Sequence, residues 1–165
     1  VTVAVVVIIA AVAVPGMHRL IRDNRILTTA NDFVAAINRA RSEAIKHKAR
    51  MTMCPANDQP DKCGAAGWAN GWIVFEDNNS DGKRDVGETI VMTRNPLLTS
   101  TLLAAVGFDG NQCLQISGTG ALVNTTGLGN DFMKVCQSGE SGNYSRVVVV
   151  SPNGHPSVNA NISCP

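Results

Sequence analysis

The stretch Val1–Val14, VTVAVVVIIAAVAV, decides the fold: it carries no charge, and Thr2 is its one polar residue. As a helix it would span about 21 Å at 1.5 Å per residue, short of a ~30 Å hydrocarbon core. A secretory signal peptide would need a basic region before the run and a small-residue cleavage site after it, and neither is visible. Val and Ile favour strands, yet a buried strand this long without a turn signal is too long. The expectation is therefore the visible end of a membrane helix that begins upstream of Val1.

Pro15-Gly16 follows at once. Pro lacks an N–H and Gly is entropically costly, so the pair is expected to kink or locally melt a helix. Beyond it Ile26, Ala30, Phe33, Ile37, Ala40 and Ala44 step by four and three, which puts them in one stripe on a helix face. The basic residues Arg19, Arg22 and Arg25 suit anionic headgroups beside the apolar run. Residues 1–50 thus read as one long helix, with a lipid-facing first half and an amphipathic second half. Val1, Val5, Ile8, Ile9, Val12 and Pro15 are its candidate filament-core positions, and Ala10, Ala11 and Ala13 are small enough for close helix approach.

After Arg50 the period changes. Short β-prone runs (Met51–Cys54, Trp72–Phe75, Thr89–Met92, Leu114–Ser117, Phe132–Cys136 and Arg146–Val150) alternate with Gly, Asn, Asp and Ser. That spacing predicts an antiparallel two-sheet head over residues 51–165, an α+β fold overall. Val147–Val150 is apolar at every position and predicts a central strand covered on both faces. Trp68 and Trp72 read as core residues. Charge is segregated: residues 1–53 hold eight Lys/Arg against three Asp/Glu, and residues 54–165 hold six against ten. A basic rod therefore joins an acidic head.

Five cysteines, none in a CxxC or CxxH arrangement, point to an oxidising compartment and away from zinc. Cys54 and Cys63 enclose a short polar segment, and Cys136 and Cys164 can tie the last strands to the C-terminus. Loops of these lengths would contribute roughly 2.7 and 3.6 kcal/mol in the chain-entropy model. Cys113 is left as a buried free thiol.

Together the apolar start, Pro15, ARSEAIKHKARMTMC (Ala40–Cys54), GWIVFEDNNSDGKRDVGE (Gly71–Glu88) and RVVVVSPNGHPSV (Arg146–Val158) resemble the FimT/FimU and GspH family of minor type IV pilins and type II secretion pseudopilins. The resemblance implies a long N-terminal helix packed on a head of two antiparallel sheets. It also implies a leader removed by prepilin peptidase, an inner-membrane anchor with a periplasmic head, and later incorporation with other pilins into a surface filament. The phenylalanine and glutamate that open mature relatives have no counterpart here, so no residue inherits their role.

The sharpest chemical pattern is Asp77 to Glu88. Oxygen ligands fall at positions 1, 3, 5, 9 and 12 (Asp77, Asn79, Asp81, Asp85, Glu88), with Gly82 at position 6 and the Lys83 carbonyl at position 7. That is a calcium-loop spacing, here between strands, and the bland alternative is a solvated acidic turn. DNA is not the expected partner: the Gly-Arg-x-Arg element that DNA-binding relatives carry reads Gly154-His155-Pro156-Ser157 here. Lys134 and Arg146 remain as weak phosphate contacts. His18, His47 and His155 sit in no catalytic arrangement, and no GxSxG, HExxH or P-loop occurs, so the chain reads as a non-enzyme. A structural filament subunit is the first reading. The second is a tip-exposed module recognising DNA, a surface or a secreted substrate through loops such as Cys54–Cys63 or Gly118–Gly129.

Overall fold

A computed structural model describes the backbone of residues 2–57, 62–64, 67–97, 101–106, 113–123, 131–137 and 145–160. Among the described residues one α-helix, α1 (Thr2–His47), precedes nine strands, with a short 3-10 turn (Trp68–Asn70) ahead of the second. The strands are β1 (Met51–Pro55), β2 (Trp72–Glu76), β3 (Ile90–Arg94), β4 (Thr101–Val106), β5 (Leu114–Ile116), β6 (Leu122–Val123), β7 (Asp131–Gln137), β8 (Ser145–Val150) and β9 (Pro156–Ala160). They form a five-stranded sheet in the order β3-β2-β1-β5-β6 and a four-stranded sheet in the order β4-β7-β8-β9. Every pairing is antiparallel. This is the expected α+β architecture.

The helix runs without interruption through Pro15 and Gly16, so of the two outcomes open there, a kink or local melting, the backbone does not melt. A proline costs a helix one donor and bends it, while the remaining i→i−4 bonds carry the helix on. The end of α1 is made differently. Lys48 takes the left-handed conformation (φ 53°), and the Ala49 N–H returns to the Ala44 carbonyl at 3.2 Å. That closes the last turn in the manner of a Schellman cap, without the usual glycine.

Ile26, Ala30, Phe33, Ile37, Ala40 and Ala44 are all buried, in one cluster with Met51, Met53, Trp72 and Val74 of the first sheet and Met133, Val135, Val148 and Val150 of the second. The helix from Ile26 onward therefore shares a single core with the head. Phe33 lies at its centre, edge-on to Trp68 and Trp72 with ring centroids 5.4 and 5.5 Å away. Such edge-to-face geometry adds about 0.5–1.5 kcal/mol per pair beyond area burial. Arg94 of β3 pins the flank by donating to Asp32 of α1 at 2.7 Å.

Strand alternation sets up the rest. On β1, Met51 and Met53 face the main core, which leaves Thr52 and Cys54 for the opposite face. On β2, Trp72 and Val74 face the core, while Ile73 and Phe75 join Cys54, Ala56 and Cys113 in a second, smaller cluster. A sheet covered on both sides explains why WIVF is apolar throughout. β8 lies between β7 and β9, and Val147, Val148 and Val150 are buried while Val149 is half-buried. It is the covered interior strand that the valine run predicts.

Candidate functional site

The segment Asp77–Glu88 connects β2 to β3, and its geometry follows from the strand face that Thr52 occupies. Thr52 and Asp77 are both buried, and the Thr52 hydroxyl donates to Asp77 Oδ2 at 2.6 Å. The same oxygen accepts the Gly82 N–H at 3.1 Å, and Asp77 Oδ1 accepts the Asp81 N–H at 3.1 Å. Gly82 supplies the sharp turn with φ 75°. At the far end Glu88, also buried, accepts the Asn78 N–H at 3.0 Å and the Asp85 N–H at 2.8 Å. Asn79 donates to Asp85 at 2.9 Å. The two buried carboxylates thus act as acceptors for backbone donors that a tight loop cannot pair with each other.

The loop is anchored to the sheet as well. The Asp77 N–H donates to the Arg50 carbonyl at 2.9 Å, Arg50 donates to Gln115 at 3.2 Å, and the Cys113 thiol lies 3.3 Å from the Gly82 carbonyl. Cys113 is buried, and its thiol touches the candidate loop besides filling apolar space. Thr52, Arg50 and Gln115 were not legible as partners of this loop, because their contacts cross 25 to 65 positions of sequence. Among the described residues no three His, Cys, Asp or Glu side chains gather as a metal cluster. The left-handed turn at Gly82 is present, and the Asp77 and Glu88 carboxylates are turned to the loop's own N–H groups.

The remaining candidates are dispersed. Cys54 and Cys63 form a disulfide that closes a small hairpin, in which the Asn57 N–H donates to the Lys62 carbonyl at 3.0 Å. Cys136 is disulfide-bonded, and its expected partner Cys164 lies outside the described residues. Lys134 pairs with Val147 across β7 and β8, and Arg146 pairs with Val135. Alternation therefore sends the two cations to opposite faces of the sheet, and they make no joint phosphate site. Gly118 and Gly120 lie against the end of α1, where a Cβ would come within 2.7 Å of the Lys48 backbone and 2.8 Å of Ile45. Residues 124–130, the rest of that candidate loop, are outside the described set, as is Val1. Val5, Ile8, Ile9, Val12 and Pro15 lie on the helical backbone, with side chains outside the described set.

Two features of α1 were not read from sequence. An open cleft of about 560 Å³ separates Ile21, Asn24, Arg25, Thr28 and Thr29 from Arg94, Pro96 and Leu97. Near the helix end, Glu43 receives Arg39 at 2.9 Å, Lys46 at 3.4 Å and His47 at 3.2 Å. Burial raises the carboxyl's affinity for a proton, but the cations, Arg39 foremost, outweigh it and hold Glu43 below the ordinary carboxylate range. The i,i+3 and i,i+4 spacings carry the signal that could have found this cluster. Among the described residues no helix is long and apolar enough to cross a membrane.

The chain matches the family described as Type II transport protein GspH over residues 29–154. Among curated proteins none matches the sequence. Two crystal structures of the Pseudomonas aeruginosa type IV minor pilin FimU superpose with TM-scores of 0.63 and 0.60, each at 18% identity. The first of these pairs covers 86% of this chain and 96% of FimU. The minor pseudopilin EpsH of the Vibrio cholerae type II secretion system superposes with a TM-score of 0.59 at 11% identity, over 87% of this chain and 99% of EpsH. At these identities the likeness speaks for the fold. The family match spans both α1 and the two sheets that share its core, and the chain belongs to the GspH family, with the fold of minor pilins and pseudopilins.

Proposed function

We propose that this protein is a structural subunit of a type IV pilus or a type II secretion pseudopilus. Its helix is held in the inner membrane before assembly and packs among equivalent helices afterwards. The observation that carries this reading is the reach of α1 beyond its own head. The helix has 46 residues, about 69 Å of rod at 1.5 Å per residue, and its first buried side chain among those described is Ile26. Met17, Leu20 and Ile21 are exposed apolar residues on the free part, and the uncharged run Thr2–Val14 precedes them. A rod of that character is stable in lipid or against other rods, and costly in water.

No catalytic set is proposed. Calcium at Asp77–Glu88 is a secondary proposal, supported by the oxygen spacing and the left-handed Gly82 turn. Because the loop closes through its own hydrogen bonds, calcium acts on this reading as an added stabiliser and not as a condition of folding.

The test is fractionation of the full chain in its own cells. The filament reading expects extraction from membranes only with detergent, and recovery of the protein in sheared surface filaments or in the secretion pseudopilus. A chain that stays monomeric in water without detergent, and is missing from filaments, would overturn it. Copy number per filament then separates a main subunit from an initiating or tip one.

A further inference from the structure

At 100° per residue α1 carries a second row of positions about 120° round the axis from the stripe buried in the head. Leu20, Asn24, Leu27, Asn31, Val34 and Asn38 step by four and three without a break, with apolar residues and asparagines each repeating every seven. Leu20 is 61% and Leu27 40% exposed, all three asparagines are exposed, and Val34 leans partly on the head core. The same spacing runs back to Met17, 66% exposed, and in sequence through Ala13, Ala10 and Val6 to Val3. The row is therefore continuous with the apolar run. It closes at the other end, where Arg41 donates to the Gly120 carbonyl at 3.1 Å.

Asn is a poor former of helix interiors, so three of them seven apart gain nothing for an isolated helix. They suit a paired one. In a parallel coiled coil, like heptad positions meet, and an Asn amide both donates to and accepts from its own kind. In an antiparallel pair each Asn would face Leu or Val. The adjoining row, Ile21, Thr28, Ala35 and Ser42, is itself uncharged; Ile21 and Thr28 line the cleft beside Arg25 and Arg94, and Ala35 and Ser42 are exposed. A strict seven-residue repeat drifts about 20° per heptad on a straight helix, which calls for a left-handed wrap.

We infer that this row docks α1 of a second copy of this chain, parallel and Asn against Asn, in register or offset by a whole heptad of about 10.5 Å. The inference rests on the filament reading, because it names a neighbour for the rod. It is tested in the full chain in membranes, with single cysteines at Asn24, Asn31 or Asn38 in a Cys113→Ser background. Mild oxidation should give a species of twice the mass, at least tenfold more than Arg39→Cys or Lys46→Cys gives. Co-expressed Asn24→Cys and Asn31→Cys chains cross-link if the copies are offset. Asn31→Asp should cut the Asn38→Cys dimer at least fivefold with the melting temperature unchanged, and Asn31→Leu should keep the dimer but loosen its register. Equal yields on and off the row, linkage only to a protein of another mass, or indifference to Asn31→Asp would overturn the inference. Recovery in sheared filaments, measured in the same cells, judges the filament reading separately. Filaments containing the protein without Asn-to-Asn linkage sink the seam alone.

Discussion

Asp77 and Thr52 are 25 positions apart in sequence, yet their side chains meet at 2.6 Å inside the head, each almost completely shielded from water. This bond fastens the β2–β3 connection to β1, the middle strand of its sheet. Asp77→Asn removes the charge but keeps the shape, and is expected to cost roughly 1.5–3 kcal/mol, the range for hydrogen bonds to charged groups. A double-mutant cycle with Thr52→Val checks it by thermal or urea unfolding. Additive losses would mean that the two groups do not act on each other.

Calcium is expected to raise the melting temperature of the protein relative to EDTA. At ten times the dissociation constant, one site contributes about 1.4 kcal/mol. Sites of extracellular modules fill at around 10⁻⁴–10⁻³ M, which sets the titration range. Glu88→Gln should abolish the rise. An equal rise with magnesium would indicate general screening of carboxylates, and no rise at all would remove the calcium proposal.

Two glycines with similar backbones should respond differently to alanine. Gly71 has φ 93°, and a Cβ there would fall 2.0 Å from the Arg94 carbonyl oxygen; Gly87 has φ 103° with nothing within 4 Å. The conformational penalty is about 1–2 kcal/mol at either position. Gly71→Ala adds a clash with β3 backbone and is expected to exceed about 3 kcal/mol in total. Equal losses measured by urea unfolding would show that the approach to Arg94 carries no weight.

Glu43 predicts a pH dependence whose sign is fixed. Its folded carboxyl is held below the ordinary range, so its contribution is full above that range and fades as pH falls through the folded value. The melting temperature of the parent should exceed that of Glu43→Gln at about pH 6, and the gap should close toward about pH 3. A gap that widened on acidification would contradict the arrangement of Arg39, Lys46 and His47 around the carboxylate.

Much of this architecture is written in periodicity. The helix face from Ile26 to Ala44 and the strands around Trp72, Met133 and Val148 follow from spacing and β-branched content. Three strands are not legible in that way. β9, PSVNA, opens with Pro and lies at a sheet edge, where a missing N–H is tolerated and a strand need not be apolar. β6 has two residues, too few for a period, and the Leu and Ala of β4 (TLLAAV) are better helix formers than strand formers. At the acidic loop the sequence shows the turn and its oxygens. Thr52, Arg50 and Gln115 are supplied by sheet pairing, which no local window contains. At Pro15-Gly16 a local propensity rule leaves a kink and a melted stretch equally open, and the helical turns on both sides carry the helix across the missing donor.

The rod enters the interior of its own head and lacks a flexible tether to it. Tension along a filament would therefore meet no slack at the join. To part head from rod it would have to draw Phe33 from between Trp68 and Trp72 and open both sheets at once, so the attachment is as strong as the folded state itself.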